Sequence, residues 1–194
     1  MIAQRNITGI ILAGGKSSRM GSDKGLMHYE GKSFIQYSIE ALKPIVSTII
    51  IVSNNNKYEQ FGYSRIEDTV ENFGPVAGIY AGLESSLTAY NLILSCDIPL
   101  IRTEILESLV QNSKLEEEVV LLKSQGRLMP LIALYKKDCR KKFKRAIEQE
   151  EHKLMNVLSE CSIKIIELQD EDSIYTTNVN TKHQLKEIEN GNYC

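Results

Sequence analysis

The 194-residue chain predicts an α/β fold, in which a mostly parallel sheet is flanked by helices on both faces. Short, near-continuous apolar runs predict such a sheet, because strands that are covered by helices on both faces are apolar along nearly their whole length. Helical patterns alternate with these runs along the N-terminal two-thirds, as in sheets built from strand–helix–strand units. The length predicts one domain, spanning residues 1–194, with room for a full core.

Each predicted strand is an apolar run bounded by polar or turn-forming residues. The predicted strands are Thr8–Leu12, Thr48–Ser53, Asn91–Ser95, Val119–Leu122, Leu131–Tyr135 and Lys164–Leu168, with a shorter apolar segment at Ser64–Ile66. Ligands of parallel sheets bind at the carboxyl ends of the strands. The residues that follow each run are therefore the first candidates for a functional site.

The predicted helices have recognisable starts and stops. Ser33 and Gln36 form a capping box at the start of Ser33–Leu42, and Pro44 ends that helix. The other predicted helices are Val76–Leu87 after Pro75, an apolar stripe after Thr103, the basic segment Lys136–Arg145, and a short helix capped by Thr181 and Gln184. The basic segment indicates either a docking surface for an anionic partner or a solvated face, and such runs favour the second.

Composition excludes several functional classes. The formal charge of −2 gives no electrostatic case for nucleic acid or a membrane surface as the main partner. No apolar run approaches membrane-spanning length, and the N-terminus lacks the pattern of a signal peptide, so a cytoplasmic protein is expected. The four cysteines form no C-x-x-C pair and the three histidines show no ligand spacing, which argues against structural zinc.

The most informative stretch is LAGGKSSRMGSDKG, from Leu12 to Gly25. Two adjacent glycines, Gly14 and Gly15, allow a sharp turn that exposes backbone N–H groups after the first strand. Several cations follow, among them Arg19 and Lys24, and this combination suits a polyphosphate. The glycine spacing matches neither the Walker A motif nor G-x-G-x-x-G, and the alternative is an ordinary strand–helix turn that binds nothing.

Polar side chains follow other strands. Asp97 comes directly after Asn91–Ser95 and is a candidate magnesium ligand, with a turn or cap role before Pro99 as the alternative. Asp68 is a weaker candidate for the same site, because loop aspartates often cap turns. Asn54 could read a base edge through its amide, although asparagines in turns are usually conformational. The GPVAGI segment at Gly74–Ile79 allows close backbone approach at a helix start.

These motifs together resemble one known family. LAGGKSSRMGSDKGLM, Asn54 after IIIVS, Asp68, GPVAGI and SCDIP occur in the order found in molybdenum cofactor guanylyltransferases (MobA). Later segments, MPLIALY at Met129–Tyr135 and NVNT at Asn178–Thr181, are similar as well, so the resemblance spans nearly the whole chain. The glycine-rich loop alone indicates only a broad nucleotidyltransferase superfamily. The resemblance narrows from that superfamily to the molybdenum cofactor guanylyltransferases because the chain combines the double glycine, GPVAG and NVN.

The resemblance implies a Rossmann-like nucleotidyltransferase fold and the transfer of GMP from GTP to the terminal phosphate of molybdopterin, with release of pyrophosphate. GTP and molybdopterin would be the substrates, Mg²⁺ the cofactor, and molybdoenzymes or other cofactor-synthesis proteins transient contacts. The family's roles would fall on Leu12, Ala13, Gly14, Gly15 and Lys24 for the nucleotide, on Asp68 and Asp97 for nucleotide and magnesium, and on Asn178 and Asn180 near the pterin.

In this interpretation Lys24 and Arg19 stabilise charge that moves onto pyrophosphate, while Asp97 holds magnesium. Two positions depart from the family pattern. Val52 is apolar where some members carry a polar residue, so base contacts rest on Asn54, and Met129 stands where glutamine is frequent. The alternatives are a transferase of the same fold that uses CTP or a sugar phosphate, and a cofactor-binding module without catalysis.

Overall fold

The computed structural model describes residues 2–14, 23–68, 70, 73–114 and 116–190. Its strands are β1 (Ile7–Leu12), β2 (His28–Tyr29), β3 (Lys32–Ser33), β4 (Thr48–Val52), β5 (Ser64–Ile66), β6 (Tyr90–Ser95), β7 (Val119–Ser124), β8 (Arg127–Lys136) and β9 (Ile163–Glu167). Its α-helices are α1 (Phe34–Leu42), α2 (Pro75–Ser85), α3 (Thr103–Gln111), α4 (Arg140–Glu148), α5 (Leu154–Ser159) and α6 (Lys182–Glu189). The described residues also form short 3₁₀ segments at Gln4–Asn6, Lys24–Leu26, Asn56–Phe61, Lys137–Cys139 and Asp170–Thr176.

Seven strands form one sheet in the order β5-β4-β1-β6-β8-β7-β9, and β2 and β3 form a separate hairpin. Strands β5, β4, β1 and β6 are parallel neighbours. Strand β8 lies antiparallel between β6 and β7, while β9 is parallel to β7. The predicted mostly parallel sheet is confirmed, with one reversed strand that the apolar runs did not reveal.

A two-residue turn explains the reversed strand. Only Gln125 and Gly126 separate β7 from β8, and both have positive φ, at 48° and 75°. Two left-handed residues in a two-residue loop match the twist of antiparallel strands and close a tight hairpin. The structure thus extends the predicted Leu131–Tyr135 strand back to Arg127.

Apolar side chains alternate between the two faces of the sheet. Ile11, Leu92 and Leu94 belong to one buried cluster, which α1 and α3 cover. Ile10 and Ile93 belong to a second cluster, which α2, α4 and α5 cover. The period of two along each strand therefore produces a core on both faces, as predicted. Among the described residues, no helix combines the length and apolar character needed to cross a membrane.

Helix boundaries follow the predicted signals closely. Ser33 is the N-cap of α1, its backbone N–H donates to Gln36 Oε1 at 2.8 Å, and the helix ends at Leu42 before Pro44. Thr181 caps α6 by accepting from the Gln184 N–H at 3.1 Å. The predicted basic helix Lys136–Arg145 was wrong at its start, because Lys136 ends β8 and α4 begins only at Arg140.

Candidate active site

The carboxyl ends of four parallel strands bring most of the predicted site residues to one edge of the sheet. Backbone hydrogen bonds extend the pairing one residue past the strands, from Ala13 N to Val52 O at 3.0 Å and from Cys96 N to Leu12 O at 3.1 Å. The described residues that follow the strands at this edge are Ala13 and Gly14 after β1, Asn54 after β4, Asp68 after β5 and Asp97 after β6. Gly15 and Arg19 lie outside the described residues.

The order of the strands creates a crevice beside β1. From β1 the chain proceeds to β4 and β5 on one side, and later returns to place β6 on the other. Such a reversal of strand order is where open α/β sheets bind their ligands. The Gly14 turn and Asp97 lie on the two sides of this point, since β1 and β6 are direct neighbours with Leu12 opposite Ser95.

Three side chains from distant parts of the chain meet at this edge. Lys24 Nζ donates to Asn180 Oδ1 at 2.5 Å and lies 3.6 Å from Asp97 Oδ2. The Lys24 and Asp97 side chains are 25% and 12% exposed, so both groups are sheltered and still reachable from solvent. A cation, a carboxylate and an amide therefore form one cluster, and all three were predicted site residues.

Two donors hold the Asp97 carboxylate in place. Ser95 Oγ donates to Asp97 Oδ1 at 2.7 Å, and Asn178 Nδ2 donates to the same oxygen at 2.9 Å. The Asp97 carbonyl also accepts from the Val179 N–H at 2.8 Å. Oδ1 is thus committed to neighbouring side chains, while Oδ2 lies toward Lys24.

Alternation within Asn178-Val179-Asn180 explains how this segment serves both the core and the site. Val179 is fully buried in an apolar cluster with Tyr29, Phe34 and Ile188. Its two neighbours point their amides at Asp97 and Lys24 instead. The Asn180 N–H donates to Gln184 Oε1 at 2.7 Å, which ties the segment to the first turn of α6.

Asn54 and Asp68 pair with each other. Asn54 Oδ1 accepts from the Asp68 N–H at 2.9 Å, and Asn54 Nδ2 donates to the Asp68 carbonyl at 3.3 Å. Asp68 Oδ1 accepts from the Val70 N–H at 3.1 Å, and burial raises the pKa of this carboxyl above its ordinary value. The structure thus shows the turn-forming role that the sequence left open for both residues, and their ligand contacts stay predictions.

Helix α2 starts at the same edge of the sheet. Gly74 is its N-cap with φ at +55°, and Pro75 is its first residue. A Cβ on Gly78 would lie 3.4 Å from Leu12 Cδ2, so this glycine lets α2 pack closely on the strand that carries the glycine turn. The partial positive charge of the α2 N-terminus accordingly adds to that of Lys24 near the crevice.

The α4 part of the basic segment is paired with acidic neighbours. Every cation of α4 has a partner: Arg140 with Glu84, Lys141 with Asp138, Lys142 with Glu118, Lys144 with Glu148 and Arg145 with Glu160. Such pairing favours the solvated-face interpretation over a docking surface for an anion. The three histidines are exposed.

Sequence reasoning missed the side-chain contacts of four residues around this site. Ser95 was assigned only to its strand, although a hydroxyl two residues before a strand-end carboxylate is a signal that could have found it. Asp23, Asn55 and Tyr58 form a hydrogen-bonded group beside Lys24. Tyr58 carries no local signal, because its contact with Asp23 joins residues 35 positions apart.

The chain is similar to known proteins along most of its length. The family model described as MobA-like NTP transferase domain matches residues 9–165. A probable molybdenum cofactor guanylyltransferase of Flavobacterium johnsoniae is 38% identical over 182 residues, which are 94% of this chain and 96% of that protein.

Solved structures share the architecture. A protein of Aquifex aeolicus superposes with a TM-score of 0.80 at 27% identity and covers 93% of this chain and 96% of its own. Molybdopterin-guanine dinucleotide biosynthesis protein A of Archaeoglobus fulgidus also has a TM-score of 0.80, at 24% identity, covering 94% of this chain and 97% of its own. The second likeness concerns the fold alone.

Proposed function

Because the chain belongs to the MobA-like NTP transferase family, we propose that it transfers GMP from GTP to molybdopterin and releases pyrophosphate. The observation that carries the proposal is the cluster of Lys24, Asp97 and Asn180 at the carboxyl edge of the sheet. It combines an ammonium group for phosphate with a carboxylate suited to a metal ion. Both are needed where a triphosphate meets a second anionic phosphate.

The protein's part in this reaction is positioning and charge stabilisation. The acceptor phosphate is already anionic, so it needs no strong general base, and the two anions must be aligned for attack on the α-phosphorus. The backbone of Leu12, Ala13 and Gly14 would hold the nucleotide, and Lys24 would stabilise the charge that develops on pyrophosphate. Gly15 and Arg19 receive corresponding roles from the resemblance.

The carboxylate of Asp97 is a suitable ligand for a magnesium ion. Mg²⁺ is usually held by one or two carboxylates, and water and phosphate oxygens complete its shell. Within the part of the chain that the structure describes, no group of three or more His, Cys, Asp or Glu side chains could hold a metal ion, and Asp97 is the carboxylate that lies beside Lys24. Asp97 would hold the ion through Oδ2, and the ion would offset negative charge on the triphosphate.

The remaining predicted site residues would contact the two substrates. Asn54 and Asp68 would face the nucleoside, with the Asn54 amide held in place by the Asp68 backbone. Asn178 and Asn180 would border the pterin, since they approach Asp97 and Lys24 from the C-terminal segment. The pterin phosphate would then lie close to the α-phosphate of the nucleotide.

We also propose that the chain acts as one domain in the cytoplasm. The C-terminal segment supports a single unit, because Val179 and Ile188 pack against Tyr29 and Phe34 near the N-terminus. Free thiols at Cys96, Cys139 and Cys161 suit a reducing compartment. Transient contact with molybdoenzymes belongs to the same proposal.

Pyrophosphate release tests the reaction. The protein is incubated with magnesium and molybdopterin and with GTP, CTP, ATP or UTP in turn, and each mixture is repeated without the pterin. Release with GTP alone, and only when the pterin is present, is the expected result. Release with CTP instead would keep the catalytic residues and overturn the base assignment. Folded protein that binds GTP without releasing pyrophosphate would indicate a cofactor-binding module.

A further inference from the structure

A hydrogen-bonded group of side chains, of which Tyr58 is buried, lies directly beside Lys24 and centres on Asp23. Asp23 Oδ1 accepts from the Tyr58 hydroxyl and from the Gly25 N–H at 3.2 Å. Asp23 Oδ2 accepts from Asn55 Nδ2 at 2.8 Å. The residue before Lys24 is therefore held by three donors, two of which come from the segment after β4.

Tyr58 is packed under the backbone of the Lys24–Gly25 segment. Its side chain is 0% exposed, within the 3₁₀ segment Asn56–Phe61. A Cβ on Gly25 would collide with the Tyr58 hydroxyl oxygen and would lie 3.1 Å from Cys96 Sγ, so only glycine permits this approach. Burial, Cys96 and the hydrogen bond to Asp23 raise the pKa of Tyr58 far above its ordinary value, which keeps the phenol protonated as a donor.

Asn55 uses both ends of its amide. Its Oδ1 accepts from the Lys57 N–H at 3.1 Å, which caps the 3₁₀ segment, while its Nδ2 donates to Asp23. The turn after β4 is thereby tied to the residue before Lys24. Since Asp23 and Gly25 flank Lys24 and are both held, the direction in which the Lys24 side chain leaves the backbone is set by these contacts.

We propose that Tyr58 and Asn55 are positioning residues, which act through Asp23 to aim the Lys24 ammonium at Asn180, Asp97 and the phosphates of the nucleotide. The inference rests on the proposed function in one respect, the role of Lys24 in the transfer. In this arrangement the polar turn after β4 serves the lysine of the first loop as well as the nucleoside.

Tyr58→Phe is the first variant, because it removes the hydroxyl and keeps the buried ring. We expect kcat for pyrophosphate release to fall about tenfold, as for a lost hydrogen bond to a charged group, while KM for GTP changes less than about threefold. Asn55→Asp is the second variant: it keeps the cap on Lys57 and places a carboxylate opposite Asp23. It should lower kcat in the same way.

Tyr135→Phe is the matched control, since Tyr135 is another fully buried tyrosine whose hydroxyl donates to Pro130 O, at 2.9 Å. We expect a comparable fall in Tm with unchanged kcat. If Tyr58→Phe lowers only Tm, as the control does, the positioning role is overturned.

A double variant asks whether Tyr58 acts through Lys24. Lys24→Ala combined with Tyr58→Phe should release pyrophosphate as fast as Lys24→Ala alone, because the lysine to be aimed is gone. If the two losses multiply, Tyr58 acts by another route and the inference fails.

A measurement without turnover separates this inference from the proposed function. Lys24 is acylated with an N-hydroxysuccinimide ester, and its modified peptide is quantified by mass spectrometry over time. Release of the lysine in Tyr58→Phe should raise its labelling rate about threefold or more, with no change in Tyr135→Phe. An unchanged rate in Tyr58→Phe would overturn the inference. Absence of pyrophosphate release by the natural protein would overturn the proposed function alone.

Discussion

Two lysine–carboxylate pairs lie at opposite edges of the same sheet. At the carboxyl edge, Lys24 Nζ is 3.6 Å from Asp97 Oδ2. At the amino edge, just before β7, Lys142 Nζ is 2.5 Å from Glu118 Oε2 and also donates to the Glu160 carbonyl at 2.7 Å. The residue chemistry is alike, but the ion pair is short at the amino edge and longer at the carboxyl edge, where the short contact of Lys24 is with the neutral amide of Asn180.

The difference separates a stabilising ion pair from one that can exchange partners. Glu118 Oε2 also accepts from the Ser162 N–H at 2.8 Å. Burial alone would raise the pKa of Glu118, but the hydrogen bonds from Lys142 and Ser162 outweigh it and hold the pKa below its ordinary value. Lys24 can turn from Asp97 toward a phosphate without breaking a short ion pair. The looser pair is therefore the one that suits a ligand site.

The largest expected effect is a fall in kcat when Lys24 is replaced, which replacement of Lys142 should not cause. Lys24→Ala should lower kcat by about two to three powers of ten, the scale for loss of one preorganised donor. Lys142→Ala, its matched control, should leave kcat within about twofold and cost about 1 kcal/mol of stability. Steady-state pyrophosphate release and thermal unfolding measure the two quantities. Near-normal turnover of Lys24→Ala at saturating substrates would remove its assigned role.

The next effect concerns the metal. Asp97→Asn should raise the magnesium concentration for half-maximal activity by at least about 100-fold, beyond what loss of a supporting partner usually costs. Glu118→Asn at the amino edge should leave the magnesium titration unchanged. A superimposable titration for Asp97→Asn would place the metal elsewhere.

A smaller effect is expected for Ser95, which holds the carboxylate of Asp97. Ser95→Ala removes the hydroxyl that donates to Asp97 Oδ1 at 2.7 Å. The affinity for magnesium should fall about tenfold, while kcat at saturating magnesium is nearly preserved. Ser47→Ala is the control, because Ser47 Oγ donates to the Ile7 carbonyl at 2.9 Å at the opposite edge. Equal magnesium affinity in both variants would show that Ser95 does not orient Asp97.

The smallest effect is a pH dependence of stability at the amino edge. Because the folded pKa of Glu118 lies below its ordinary value, its stabilising contribution is present above the unfolded pKa of about 4.3 and is lost as pH falls through the folded pKa. Glu118→Gln should therefore lower Tm at neutral pH, by the equivalent of about 1 kcal/mol or less. The difference from the natural chain should shrink as pH falls through the folded pKa and vanish once the carboxyl group is protonated in both states. A constant difference across this range would contradict the assignment.

Local patterns predicted the parallel half of the sheet and the residues at its carboxyl edge. Strands β1, β4 and β6 were predicted to within one residue at each end, because each is a continuous apolar run. The same patterns predicted Asp97 and Asn54 at strand ends. This prediction was possible because it depends only on residues that are adjacent in sequence.

The rest depends on contacts that no local pattern encodes. Asn178 reaches Asp97 across 81 positions, and Tyr58 reaches Asp23 across 35. The antiparallel placement of β8 depends on the left-handed turn at Gln125 and Gly126, whose residues are an uncommon pair for such a turn. The resemblance supplied the grouping of NVN with the site, and the structure supplied the atoms that it contacts.

The reach of Asn178 and Asn180 back to the first loop has a consequence for protein synthesis. Lys24 and Asp97 leave the ribosome long before these two asparagines are translated, since Lys24 precedes Asn180 by 156 positions. At about 5–20 residues per second, translation of that interval takes roughly 8–31 s. Until then the nascent chain carries the lysine and the carboxylate without their amide partners. Any chain truncated before Asn178 stays in that state, so docking of residues 178–180 onto Lys24 and Asp97 completes the cluster.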